Sequence, residues 1–152
     1  MKPNSNLEKE VSIMQDHLQE LRKLAGWSVD ELSQKMGLTR QAVYALENGQ
    51  AKMNQLHYLA LIHLFSIECD YHKENKALAA VLNLLFNDTD NYIAKKEEYD
   101  QKIFGIASMG AVTTSTTAIV LGALLGPLGL IGASAVGLSS ALSTKLLGLG
   151  KK

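Results

Sequence analysis

The sequence has one cysteine, two prolines and few aromatic residues, and each shortage excludes a class of protein. The single Cys69 excludes a structural disulfide within the chain, as is typical of proteins in a reducing cytosol. With so little proline, almost nothing in the chain interrupts helix formation. The polar stretch from Met1 to Asn6 does not resemble a cleavable signal peptide. We therefore expect an all-α fold in a cytosolic environment.

The sequence also lacks recognisable catalytic motifs and complete sets of metal ligands. The sequence contains no nucleophile elbow, no phosphate-binding loop with a lysine, and no paired carboxylates in an apolar setting. Cys69 with His72, and His57 with His63, do not make a complete ligand set with the spacing that a metal ion needs. We predict a protein that is not an enzyme and that uses no cofactor or metal.

The sequence also contains a long run without charge, because no charged residue occurs from Ile103 to Thr144. At about 1.5 Å per residue, such a run is long enough for two bilayer crossings. Gly126-Pro127 near its middle ends one helix and permits another, which predicts a hairpin of Ile103–Leu125 and Leu128–Leu149. Positive residues prefer the cytoplasm, so lysines on both sides of the run favour two spans with both ends inside. These lysines are Lys95, Lys96, Lys102, Lys145, Lys151 and Lys152.

Two alternatives to the hairpin stay open. A single span from Thr117 to Leu138 covers the densest Leu, Ile and Val, but it would export the three C-terminal lysines. The run could instead be buried inside a soluble helical oligomer. In a bilayer, its small residues would let helices pack closely, either within the hairpin or between copies of the chain. The glycines expected at this packing are Gly122, Gly126, Gly129 and Gly132.

The sequence does contain a pair of short capped helices between Ser28 and Gly49. Ser28 and Glu31 have the spacing of a capping box, which satisfies the backbone N–H groups at a helix start. Gly37 suits the left-handed position that ends this helix, and Thr39 can cap a second helix two residues later. Two short helices joined by a glycine turn predict a helix-turn-helix unit.

This stretch resembles the Cro/phage-repressor helix-turn-helix family, also called XRE-like, over about residues 18–66. The resemblance implies a DNA-binding domain in which Arg22 and Glu47 form an ion pair between the first and third helices. Two positions depart from the family pattern: Val29 stands in place of a phosphate-contacting glutamine, and Met53 in place of a proline that often opens the fourth helix. The matching positions are Ser28, Asp30, Glu31, Leu32, Gly37, Thr39 and Glu47-Asn48-Gly49.

In such a domain, the outward residues near the start of the recognition helix reach base edges in the major groove. Arg40 can bind guanine as a fork, Gln41 can bind adenine, and Tyr44 can contact a thymine methyl group or a phosphate. Ala45 aligns with another base-contacting position but is too short to form a hydrogen bond. The alternative is that Arg40 and Gln41 are only a solvated surface. We predict base contacts from Arg40, Gln41, Tyr44 and Ala45, and phosphate contacts from Lys35, Thr39 and Lys52.

Residues 1–66 contain seven basic and seven acidic residues, so this domain lacks the basic surface that is usual in DNA-binding proteins. If few phosphates are neutralised, non-specific affinity is weak. Dimerisation or clustering would then have to supply affinity through avidity. Leu7 and Val11 of the first helix either cover the domain or form a seam between two subunits.

Further helices are predicted on both sides of the motif. A continuous first helix carries an apolar seam, Asn54 can cap a fourth helix, and Lys76–Phe86 has the apolar spacing of a fifth. The charged segment Tyr92–Lys102 suggests a helical stalk. We predict a five-helix DNA-binding domain over residues 1–87, a stalk over residues 88–102, and a transmembrane hairpin over residues 103–152. The apolar seam of the first helix consists of Leu7, Val11, Met14, Leu18 and Leu21.

These features predict a transcriptional regulator that binds double-stranded DNA, as a homodimer or higher homo-oligomer, and is anchored in the lipid bilayer. We expect it at the inner membrane of a bacterial cell, encoded by the bacterium or a phage, with its N-terminal domain in the cytoplasm. The anchor would either sequester the regulator or let a membrane partner control it. The alternative is a small membrane-active effector of the phage-defence or toxin type, in which the helix-turn-helix is a docking or autoregulatory module. Permeabilisation by the C-terminal part would favour the effector, and sequence-specific DNA retention would favour the regulator.

Overall fold

The computed structural model describes residues 5–87 and 89–108, and this part of the chain consists of eight helices with no strand. Its all-α class agrees with the fold predicted from the sequence. The helices are α1 (Ser5–Asp16), α2 (Leu18–Leu24), α3 (Val29–Met36), α4 (Arg40–Glu47), α5 (Gln55–Tyr71), α6 (Lys76–Phe86), α7 (Thr89–Ala94) and α8 (Lys96–Ser108).

One apolar core receives buried side chains from all eight helices. Trp27, in the turn between α2 and α3, stacks on Phe65 of α5 with 5.2 Å between ring centroids, so it anchors the core. Val11 is buried in the same core, and Leu7 packs partly against it. Val11 therefore covers its own domain, and Leu7 does so in part.

The predicted first helix is interrupted at His17, where the backbone adopts φ −113° and ψ 10°. The bonds from His17 N to Ile13 O and from Leu21 N to His17 O continue on either side, so the interruption is local. The His17 side chain is buried, and its Nε2 lies 2.7 Å from the hydroxyl of Tyr92 in α7. This tertiary contact is invisible to a helical pattern, which explains why the sequence alone predicts one continuous helix.

The segment predicted as a stalk packs on the domain. Helix α8 contacts α2, while Tyr92 and Ile103 are fully buried. Charged residues dominate the outer surface of this segment, which is why its composition suggests a solvated stalk. Lys96 pairs with Asp100 at 2.8 Å and with Asp16 of α1 at 3.6 Å. Tyr92 and Ile103, on either side of this charged stretch, hold α7 and α8 against the rest of the domain.

Of the predicted hairpin, only residues 103–108 lie within the described part of the chain, where they form the end of α8. Ile103, Ile106 and Ala107 are buried in the domain core, so the uncharged run begins inside the domain and not in a membrane span. The rest of the hairpin, with Gly122, Gly126, Gly129 and Gly132, lies outside the described residues. Among the helices that are described, none has both the length and the apolar character needed to cross a bilayer.

Candidate nucleic-acid interface

Helices α3 and α4 begin and end at the capping residues that the sequence indicates. Ser28 Oγ accepts a hydrogen bond from Glu31 N at 3.1 Å, and Ser28 N donates to Glu31 Oε2 at 2.7 Å. These bonds from Ser28 hold the pKa of Glu31 below its ordinary value. Gly37 ends α3 with φ 66°, and Thr39 Oγ1 accepts from Ala42 N at 3.1 Å to start α4. The tight turn therefore fixes the direction in which α4 leaves α3.

Helix α4 has one buried and one exposed side. Val43 and Leu46 are buried in the core, as their spacing predicts. Arg40, Gln41 and Tyr44 are exposed, with 46% of Tyr44 accessible to solvent. Ala45 is only partly exposed, so it offers less surface than the other three predicted base contacts. The structure thus brings three of the predicted base-contacting side chains to the surface of one short helix.

Arg40 does not extend freely into solvent in this structure. Its Nε lies 2.8 Å from Oδ1 of Asp30, in the first turn of α3. Both side chains are exposed, at 61% for Arg40 and 50% for Asp30. In the sequence, Asp30 matches only the family pattern at the start of α3, and no spacing indicates Arg40 as its partner.

The three predicted phosphate contacts have different surroundings. The ammonium of Lys35 lies 4.9 Å from the centre of the Trp27 ring and borders a cavity with Glu31, Glu68 and Glu74, among others. No residue of α4 lines that cavity. Thr39 caps α4 at the exposed start of the recognition helix, and Lys52 is exposed in the loop between α4 and α5. Lys35 is therefore oriented towards an acidic cavity away from α4.

Arg22 and Glu47 form the ion pair that the family resemblance implies. Arg22 Nε lies 2.5 Å from Glu47 Oε1, and Nη2 donates to Oε2 at 3.2 Å. Arg22 Nη1 also donates to the carbonyl oxygen of Trp27 at 2.9 Å. The guanidinium fork therefore ties the end of α4 to both α2 and the turn that precedes α3.

Gln15 of α1 holds the loop that follows α4, a role that the sequence does not reveal. Its Nε2 donates to Leu46 O at 3.0 Å and to Ala51 O at 2.6 Å. Its Oε1 accepts from Met53 N at 3.0 Å. A lone glutamine in an amphipathic helix carries no sequence signal for these backbone contacts. They fix the position of Lys52, which lies between two of the bonded residues.

Other chemistry is not assembled in the described part of the chain. Residues 5–87 and 89–108 contain no group of three or more His, Cys, Asp or Glu side chains arranged to hold a metal ion. Burial raises the pKa of the Cys69 thiol to about 12, so this cysteine is almost entirely protonated near neutral pH.

Comparison with known families agrees with this geometry. Residues 18–71 match the family model described as Helix-turn-helix, of the Cro/phage-repressor or XRE type. This part of the chain is a helix-turn-helix domain. The resemblance predicted over about residues 18–66 is therefore confirmed, and a helix-turn-helix domain of this family supports a role in DNA binding and transcription regulation. Neither a curated protein nor a solved structure matches the chain.

Proposed function

We propose that this protein is a sequence-specific transcriptional regulator that contacts double-stranded DNA through α4 and is anchored to the inner membrane by residues beyond 108. The observation that carries the DNA-binding part is the exposure of Arg40, Gln41 and Tyr44 on a helix whose opposite side is fixed in the core. No enzymatic step is part of the proposal.

The geometry of α4 suits insertion into a major groove. Its first turn carries Arg40 and Gln41, whose side chains can form paired hydrogen bonds with guanine and adenine respectively. The buried Arg22–Glu47 pair and the Gln15 contacts hold the other end of the helix and its following loop. A rigid support limits the free energy that is lost in ordering the helix when it binds DNA.

The weak charge of the domain supports a dimeric DNA-binding form. Residues 1–66 carry equal numbers of basic and acidic side chains, so one copy gains little from phosphate contacts. Two linked copies would bind two half-sites about 34 Å apart, or a multiple of that distance, and would gain affinity through avidity. Because Val11 is buried within the domain, we place the proposed dimer contact away from it.

The membrane part of the proposal rests on sequence. Residues 109–144 contain no charged side chain, and lysines follow at 145, 151 and 152. A segment of this composition and length favours a bilayer over water. A helix-turn-helix domain must face the cytoplasm to meet DNA, and the lysine distribution is compatible with that orientation.

The DNA-binding part is tested by selecting preferred sites for the full-length chain from random duplexes and then measuring affinity for them. We expect Arg40→Ala combined with Gln41→Ala to abolish the preference, because each lost bidentate base contact costs about 1–3 kcal/mol. Lys73→Ala with Gln101→Ala is the matched control, since it removes the same side-chain types or charge from exposed positions in the α5–α6 turn and on α8. If the α4 variant selects the same sites with the same affinity, α4 does not recognise sequence.

A further inference from the structure

We propose that Asp30 is a positioning residue that orients Arg40 towards guanine and so sets the base specificity of α4. This inference deepens the proposed function and rests on it. The two side chains come from different helices of the motif, Asp30 from the first turn of α3 and Arg40 from the first residue of α4. The turn at Gly37 brings them together.

The atoms that pair leave the recognition end of Arg40 available. Asp30 Oδ1 and Arg40 Nε form an ion pair, with 2.8 Å between the two atoms. A guanidinium has five N–H donors, and only one of them is on Nε. The four donors on Nη1 and Nη2 can still form the fork that matches O6 and N7 of guanine. The carboxylate lies beside Nε, so it disfavours a base contact through Nε, which would present the guanidinium sideways.

The pairing also restricts a side chain that is otherwise flexible. Arg40 is 61% exposed and has no other ion pair within the described part of the chain. Ordering a long exposed side chain at an interface costs free energy, and a partner that orders it before binding reduces that cost. Asp30 lies between Ser28 and Glu31, whose reciprocal capping bonds fix the first turn of α3. The carboxylate is therefore a well-placed partner for Arg40.

The charge of Asp30 acts in the opposite direction on binding to DNA of any sequence. A carboxylate next to the recognition helix repels phosphates, so it lowers non-specific affinity. Positioning Arg40 raises affinity only where guanine is present. Both effects increase the ratio of specific to non-specific binding. This pair of effects distinguishes the proposed role from a simple contribution of Asp30 to folding, which would change binding to all sequences in the same direction.

The test uses the full-length chain and two duplexes, the selected site and the same site with the Arg40-dependent guanine pair replaced. For Asp30→Ala, we expect the ratio of the two affinities to fall about two- to tenfold, the effect of losing one prior side-chain restraint. Affinity for the replaced site should stay equal or rise. Asp30→Asn should have a smaller effect, because its amide oxygen can accept a hydrogen bond from the guanidinium of Arg40. Asp70→Ala, which removes the same charge from an exposed position on α5, should leave the ratio unchanged.

The outcomes separate this inference from the proposed function. An unchanged ratio in Asp30→Ala, in a chain where Arg40→Ala abolishes the guanine preference, would overturn the positioning role and leave the regulator standing. A ratio that Asp30→Ala still lowers in the Arg40→Ala background would overturn it too, since Asp30 would then contact the base itself. A wild-type chain that selects no sequence would instead overturn the proposed function. Thermal unfolding monitors folding, and if Asp30→Ala does not fold then Asp30→Ser, which also removes the carboxylate, decides.

Discussion

At the scale of single residues, the Arg22–Glu47 pair is the contact on which the position of α4 depends. Glu47 is 1% exposed and Arg22 is 9% exposed, so neither charge is solvated when its partner is missing. Arg22→Ala or Glu47→Ala alone should lower the free energy of unfolding by about 3–5 kcal/mol, because each leaves a buried charge without compensation. The double variant should lose less free energy of unfolding than the two single variants lose together. Urea unfolding of the full-length chain measures all three.

The ion pair between Lys102 and Glu98 is the control for this comparison of two single variants with the double variant. Its atoms lie 2.6 Å apart along α8, but its side chains are 35% and 58% exposed. Solvent and salt weaken such a pair, so its coupling energy should be much smaller than that of the buried Arg22–Glu47 pair. Equal coupling energies for the two pairs would show that burial does not determine the strength of the Arg22–Glu47 contact.

His17 gives the domain a dependence on pH. Burial lowers the pKa of His17 below its ordinary value of 6.5, and outweighs the opposing effect of Asp100 at 3.0 Å. The unfolded chain therefore binds a proton at higher pH than the folded chain, so His17 makes stability fall as the pH drops below about 6.5. The neutral imidazole fits its contacts, because the Tyr92 hydroxyl donates to Asp100 and can accept from His17 Nε2.

We expect His17→Gln to lose stability at pH 7.5 and to approach the wild type as the pH falls to 5.5. The gap narrows because only the wild type must keep an imidazole unprotonated at a buried position. Urea unfolding at several pH values measures it, with His63→Gln as the control for losing a histidine from an exposed position. A gap of constant size across this range would show that His17 does not couple folding to protonation.

At the scale of the helices, the glycine between α3 and α4 has a purely conformational role. Gly37 has φ 66°, and a Cβ added there would meet no atom within 4 Å. Gly37→Ala should therefore destabilise the chain only through the left-handed backbone, by about 1–2 kcal/mol. Gly105→Ala is the opposite case, since a Cβ there also meets no atom within 4 Å and the residue lies within α8. It should stabilise by about 0.5–1 kcal/mol.

Thermal unfolding of the two alanine variants measures the expected loss of stability in Gly37→Ala and the expected gain in Gly105→Ala. Gly37→Asn should lose less stability than Gly37→Ala, because asparagine tolerates the left-handed region better than alanine does. If Gly37→Ala and Gly105→Ala shift the melting temperature in the same direction, backbone conformation is not the reason for glycine at position 37.

The helical boundaries near the motif could be predicted because their signals are local. Ser28, Gly37, Thr39 and Asn54 act through bonds or backbone angles within a few residues, and the structure confirms each of them. The face that α5 buries could not be predicted, because apolar side chains occur all around its first three turns. Leu56, for example, is 75% exposed although it lies in an apolar run.

The contacts that complete the candidate interface depend on distant parts of the chain. The Arg22–Glu47 pair was predictable through the family resemblance. The contacts of Asp30 with Arg40 and of Gln15 with the α4–α5 loop join different helices, and no spacing rule predicts them. The docking of α8 was missed for a related reason. Its buried residues Ile103, Ile106 and Ala107 all follow the charged part of the helix, and the uncharged run that begins at Ile103 resembles the start of a membrane segment.

At the scale of the whole molecule, the C-terminal part of the described chain is joined to the candidate DNA-binding surface. Helix α8 contacts α2, and Arg22 of α2 holds Glu47 of α4. Experiments on DNA binding should therefore keep α7 and α8, since removing them would uncover the core residues against which Tyr92 and Ile103 pack. The packing of α8 also shortens the segment left for the first membrane span to residues 109–125, which number 17. That length is at the lower limit of about 17–25 residues for a crossing.

The positions of the lysines and of Gly126 predict the membrane topology of residues 109–152. A hairpin places Lys152 in the cytoplasm and Gly126 near the far side, because lysines on both sides of the uncharged run resist export. A reporter enzyme that becomes active only after export should therefore stay inactive when fused after Lys152. The same reporter inserted at Gly126 should be active. Activity of the Lys152 fusion would establish a single span across residues 117–138 and exclude the hairpin, while the anchored regulator would still stand. A full-length chain recovered entirely without membranes would exclude both spans and leave a helix-turn-helix protein with an oligomerising tail.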